Sequence, residues 1–153
     1  MADENPSPQE EGQWSFFEDS NDYQLLGFLQ MCIEKRFHSA VQGRFQQVAG
    51  LSATNYWIHT DIGGSPKMEE NDAAPNYCYA WPRNARFMGW SAHGSGCGGF
   101  ENEDDDYILN ALRDTLNKKL ILYPEARHVG LFAKVRPGGG GIDIQVIGPF
   151  IKE

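Results

Sequence analysis

From Asp22 onward the apolar residues recur at three- and four-residue steps: Leu25, Leu29, Cys32 or Ile33, then Arg36 or Phe37. That period predicts an amphipathic helix, with Ser20, Asn21 and Asp22 available as N-cap residues. Phe37, Val41, Phe45 and Val48 carry the period into a second helix that ends near Gly50. A third helix opens on the acids Glu101 to Asp106 and presents Ile108, Ala111, Leu112, Thr115 and Leu116 on one face. Its acidic start and the basic Lys118 and Lys119 toward its other end both complement a helix dipole. Residues 61–82 hold Gly63, Gly64, Pro66, Pro75 and Pro82 with no sustained period, and read as a long loop. Pro82 to Met88 reads as one or two turns of helix. After Pro124 the apolar positions become nearly continuous over 127–136 and 142–150, which predicts two strands joined by a hairpin at Gly138–Gly141. Strands that apolar belong inside a sheet covered by helices on both faces.

A chain of 153 residues that is 41% hydrophobic has the size and apolar content of one domain. Residues 1–14 are polar, acidic and broken by Pro6 and Pro8, so a mobile tail is expected there, with a single domain over 15–153. Trp14, Phe16 and Phe17 are expected to pin the tail's end to that domain. The net charge of −8 is uneven: Asp3, Glu4, Glu10, Glu11, Glu18, Asp19, Asp22 and Glu34 all precede the first base, Lys35. From Lys35 on, acids and bases balance. An acidic arm and no basic stripe argue against nucleic acid as a partner. No apolar run is long enough for a membrane span. The N-terminus also lacks the basic and apolar regions of a signal peptide, which fits a cytoplasmic protein or a mature exported domain.

Cys32, Cys78 and Cys97 are odd in number and widely spaced, so no disulfide framework and no CxxC zinc or redox pair is encoded. One bridge with a free thiol, and three free thiols, both fit. Of the four histidines, none stands at the spacing of a helical ligand pair. Cys97 lies among Gly94, Gly96, Gly98 and Gly99, just before the acidic helix start, where a thiol's pKa is lowered and nucleophilic chemistry becomes possible. His128 opens a strand in a manner similar to the base-bearing strand of cysteine peptidases of the NlpC type. One reading is therefore a cysteine hydrolase using Cys97 with His93 or His128, although the step from Cys97 to His128 is short for that fold. The glycine loop lacks a phosphate-binding signature and reads as tight backbone turns. Tyr77, Tyr79, Trp81 and Trp90 read as core aromatics or as the rim of a groove.

Asn55-Tyr56-Trp57-Ile58-His59-Thr60, Asn84 to Trp90, Ile121 to Pro124, Arg127 to Ala133 and Ile142 to Ile147 form an ordered set. Over roughly residues 22–150 that set resembles the CAP domain (cysteine-rich secretory, antigen 5 and pathogenesis-related proteins) in its bacterial form. The resemblance implies an α-β-α sandwich with a small, mainly antiparallel central sheet, a cleft around His59, and an extracytoplasmic location. In that family the cleft histidine can share a metal with a second histidine and flank two glutamates. The matching positions here are Asn117, where the second histidine is expected, and Ser95, where a glutamate is expected. The expected function is thus a non-enzymatic module that binds a small ligand or protein through His59, His93, Ser95 and Asn117. It would need no cofactor and hold a divalent metal weakly at most. A third reading places a divalent-metal site on His59 and His93, with oxygen from Glu101 or Glu103.

Overall fold

Residues 27–32 read Gly-Phe-Leu-Gln-Met-Cys, and all six are buried. A segment covered on both faces shows neither a twofold nor a helical period, so the spacing of Leu25, Leu29 and Cys32 does not report a helix. The computed structural model describes residues 14–67, 72–100 and 103–151, and it places strand β1 at Gly27–Cys32 instead. Helix α1 follows at His38–Ala49 and stops at Gly50, which takes the left-handed conformation at φ 68° that closes helices. Strand β2 is Tyr56–Asp61. Helix α2, Ala73–Tyr79, is capped by the Asp72 side chain, which accepts from the Ala74 amide at 3.0 Å. The stretch read as helical turns over Pro82–Met88 gives way to strand β3, Phe87–His93, another fully buried run. Helix α3, Asp105–Leu122, is capped by Asp104 accepting from the Tyr107 amide at 2.8 Å. Strands β4, Arg127–Val135, and β5, Ile142–Phe150, close the chain as the sequence predicts.

The strand order is β2-β1-β3-β4-β5. β1 pairs in parallel with β2 and with β3, β3 pairs in parallel with β4, and only β4–β5 is antiparallel. The α-β-α sandwich expected from the sequence is present, but its sheet is mainly parallel and not mainly antiparallel. Right-handed crossovers explain the layering. Stepping one way from β1 to β2 puts α1 on one face, and stepping back past β1 to β3 and β4 puts α2 and α3 on the other. Two cores result: Leu29, Met31, Val41, Phe45, Val129 and Leu131 on the α1 side, and Phe28, Met88, Trp90, Ile108, Leu112 and Leu116 on the α3 side. Trp14, Phe16 and Phe17 do not dock on either, since each keeps more than four-fifths of its surface exposed. The acidic tail proper, residues 1–13, lies outside the described residues. Among the described residues no helix is long and apolar enough to cross a membrane.

His128, on β4, is fully buried rather than a solvent-facing edge residue. Its Nδ1 accepts from Trp90 Nε1 at 2.9 Å and its Nε2–H donates to the Tyr123 carbonyl at 2.8 Å, so the neutral ring uses both nitrogens. Burial pushes its pKa below the ordinary 6.5; Lys119 adds to this and the Tyr123 carbonyl opposes it. The unfolded chain therefore takes up this proton at higher pH than the folded one. The stability His128 contributes is complete above 6.5 and is lost as pH falls through that value toward the lower folded pKa. Imidazole nitrogen shifts followed from about pH 8 to pH 5 should show His128 neutral after an unstructured histidine has titrated. Protonation at or above the ordinary value would refute the assignment.

Candidate metal centre

β1 and β3 pair from Gly27–Phe87 to Gln30–Trp90, and there the ladder ends although the strands run on to Cys32 and His93. The wedge that separates them is Gly64. A Cβ on it would stand 2.5 Å from the Ser91 carbonyl oxygen, and its φ is 68°, so glycine is required on both counts. This seam is also where the strand order reverses, β1 leading to β2 on one side and β3 to β4 on the other. Open α/β sheets carry their ligand crevice at such a point, outside the carboxyl ends of the strands. Cys32 is the last residue of β1, His93 is the last of β3, and the loop after β3 returns Cys97 to them. One ligand atom from each lies within 4.8 Å of the other two, and the two sulfurs are 4.0 Å apart. All three residues are buried, and Cys32, Cys78 and Cys97 are free thiols.

The surroundings prepare these atoms for a ligand. His93 Nδ1–H donates to the Gly94 carbonyl at 2.8 Å, and Phe37 stacks on the ring at a centroid distance of 4.2 Å. Its Nε2 is buried without a hydrogen-bond partner. Leaving such a group unsatisfied costs about 1–3 kcal/mol. Burial would push the Cys32 thiol up, but the His93 imidazole and the amides of Glu34 and Gly63 outweigh it and bring the pKa down to about 7. Burial pushes the Cys97 thiol up, helped by neighbouring Cys32 and opposed by the Gly99 and Phe100 amides. For His93 burial pulls the pKa down, while Cys32, the Gly94 carbonyl and Glu34 together carry it above the ordinary value. A Cβ on Gly99 would stand 2.5 Å from the Gly63 Cα, so the two glycine loops meet backbone to backbone. Gly63 donates its amide to the Cys32 sulfur and Gly99 to the Cys97 sulfur beside that contact. Arg36 straps the site from outside, donating to the Ser95 carbonyl at 3.1 Å and pairing with Glu34 at 3.4 Å.

The residues singled out from the sequence are distributed otherwise. His59 sits on the edge strand β2, its Nδ1 bonded to Gln30 Oε1 at 2.7 Å, beside a groove lined by Phe28, Trp57 and Tyr77. Asn117 lies near Ile147 and Phe150 of β5, at the opposite edge of the sheet. Four strand spacings of about 4.8 Å separate β2 from β5, so His59 and Asn117 do not share a cleft. Ser95 braces the loop after β3: its amide donates to Asp105 Oδ1 and its Oγ accepts from the Val135 amide, each at 3.1 Å. A metal pair of His59 with His93 is not formed either, because the partners of His93 are Cys32 and Cys97. Glu103 is not in that cluster, and Glu101 lies outside the described residues. For the hydrolase reading, the structure does bring Cys97 to His93, but His128 is committed to Trp90 and Tyr123, and the raised Cys97 pKa is opposite to that of an activated nucleophile. In the sequence Cys32 reads as a thiol and as one position of a helical period. Its signal was its position, a cysteine ending one buried apolar run as His93 ends another.

No protein-family model matches the chain, and no curated protein matches its sequence significantly. Among solved structures it is similar to β-carbonic anhydrase isoform I from the protozoan Trichomonas vaginalis, with a TM-score of 0.55 over 89% of this chain and 90% of that one, at 10% identity. The fold is that of a β-carbonic anhydrase. That likeness overturns the CAP resemblance, whose short segments fall on β2, β3, α3, β4 and β5 of a different topology. One of the two tetrameric β-carbonic anhydrases from the filamentous ascomycete Sordaria macrospora aligns with a TM-score of 0.47 and 13% identity, covering 83% of this chain and 82% of its own.

Proposed function

We propose that this protein is a zinc-dependent enzyme of the carbonic anhydrase type, hydrating carbon dioxide at a centre built on Cys32, His93 and Cys97. The observation that carries the reading is the meeting of those three donors at the diverging ends of β1 and β3, with His93 Nε2 left bare. Two sulfurs and an imidazole suit zinc, and their 4.0 Å separation is close to the roughly 3.8 Å edge of a tetrahedron with Zn–S bonds of about 2.3 Å. A metal-binding imidazole ordinarily gives its other N–H to a carbonyl, as His93 does to Gly94. Three protein donors leave a fourth position open, which distinguishes catalytic from structural zinc. When bound, the ion supplies Lewis acidity and lowers the pKa of water to about 7.

The chain's own residues do the rest. Two thiolates offset the charge of a dication, and the amides of Glu34, Gly63, Gly99 and Phe100 hold the sulfurs in place. The Glu34 carboxylate, steadied by Arg36 and close enough to raise the His93 pKa, is the proton acceptor at the edge of the site. The buried donors favour a small neutral substrate over a bulky one. Stopped-flow hydration of carbon dioxide should be zinc-dependent, and Glu34→Gln should lower kcat by about 100-fold or more while zinc content stays at one per chain. A protein that binds one zinc and shows no hydration above the uncatalysed rate would leave the ion structural and sink the enzymatic reading.

A further inference from the structure

We propose that Cys32 and Cys97 are also a disulfide-forming pair, so that in the metal-free protein a peroxide locks the site shut and a bound metal slows it. This rests on the metal-site reading for its second half only. The first half rests on geometry. The two sulfurs are in direct contact at 4.0 Å, either able to donate to the other, and both are reduced. A disulfide needs about 2.05 Å, so the gap must close by about 2 Å. Cys32 ends a central strand and is held, whereas Cys97 stands in a loop with glycines on both sides. A Cβ on Gly96 would meet nothing within 4 Å, so on that side of Cys97 the loop has no neighbour packed against it. Cys78, the remaining thiol, is buried between α2 and the sheet and is not part of the cluster.

The chemistry balances with hydrogen peroxide as oxidant. The Cys32 sulfur, the more exposed of the two at 7% against 3%, attacks one peroxide oxygen. The O–O bond breaks, one water leaves with the thiol proton, and Cys32 becomes a sulfenic acid. The Cys97 sulfur then attacks the Cys32 sulfur, the S–O bond breaks, and a second water leaves with the Cys97 proton. Two thiols have lost two electrons, and one peroxide has become two waters. The bond removes both sulfur ligands at once. A metal holding both sulfurs draws electron density from them and fixes them apart, so occupancy slows the attack on peroxide and the closing of the bond.

The test uses the full chain in metal-free and zinc-saturated forms. Each is exposed to hydrogen peroxide, alkylated after denaturation and mapped by mass spectrometry, with zinc content measured in parallel. The metal-free protein should lose two hydrogen masses, show a Cys32–Cys97 crosslink and leave only Cys78 alkylated, with dithiothreitol restoring three thiols. Zinc should slow the crosslink by about tenfold or more. In Cys97→Ser the crosslink should vanish and the Cys32 sulfenic acid should become trappable by dimedone. If zinc binds one per chain but oxidation yields only sulfinic acid, or a bridge to Cys78, the proposal is wrong and the metal reading survives. A crosslink that forms equally fast in zinc, with no zinc retained, would instead overturn the metal reading and the protection that depends on it.

Discussion

Cys32→Ser is expected to weaken zinc binding by about three orders of magnitude or more, as read by competition with a chromophoric chelator. The change removes one of three donors and one of the two negative charges that a dication requires. Because the unfolded chain lacks the assembled site, binding free energy adds to folding free energy. An ion present at about a thousand times its Kd adds about 4 kcal/mol. Zinc should therefore raise the Tm of the native protein steeply and that of Cys32→Ser hardly at all. His59→Ala and Asn117→Ala provide the contrast. Both residues figured in the cleft expected from the sequence, both lie away from the three donors, and neither change should alter zinc affinity. Loss of tight binding in His59→Ala with retention in Cys32→Ser would reverse the assignment of the site.

The second large effect is expected from a single methyl group. Gly64→Ala places a Cβ 2.5 Å from the Ser91 carbonyl oxygen at a φ of 68°. The atom it meets belongs to the backbone of β3, paired there with Leu131 of β4, and cannot swing away as a side chain would. Left-handed backbone costs a residue with a Cβ about 1 kcal/mol, and forced overpacking costs 1–3 more, so a loss of about 2–4 kcal/mol is expected in denaturant unfolding of the metal-free protein. Gly138→Ala isolates the first contribution, since Gly138 has a φ of 83° and open space around it. It should cost about 1 kcal/mol and leave zinc affinity untouched, whereas Gly64→Ala should weaken zinc by prying β1 from β3. Equal costs at the two positions would show that the wedge is not sterically tight.

The parts of the fold legible in the sequence were those with a surface to contrast against a core. α1 and α3 each bury one face, so Val41 and Phe45, or Ile108, Leu112 and Leu116, stand out from polar neighbours. β4 and β5 were marked by continuous apolar runs on either side of a glycine turn. β1 and β3 carry no such contrast: every residue of each is buried, and only length and flanking breakers separate such a strand from a helix. Misreading β1 as a helix also hid the site, because Cys32 matters through standing at the carboxyl end of a strand next to the one that ends in His93. His93 and Cys97 were both singled out, and one reading paired them, but the third member, Cys32, went unseen because it stands some sixty positions earlier along the chain. Short segments at Asn55–Thr60, Asn84–Trp90 and Ile121–Ile147 carried the CAP resemblance. Such motifs mark strand ends and turns in many folds, and they say little about the order of strands.

The placement of β1 at the middle of the sheet has a consequence for how the chain acquires its structure as it is made. Its six buried residues gain their two neighbours from roughly thirty and sixty residues downstream, at β2 and β3. Among the described strands β4 and β5 pair across a short turn, and they are made after the other three. A ribosome-bound chain therefore holds an unsatisfied apolar strand until β2 and β3 have emerged, and the three donors cannot meet until residue 97 has. Slow folding and sensitivity to aggregation before release are the expected cost of seating a ligand-bearing strand first in the sequence and innermost in the sheet.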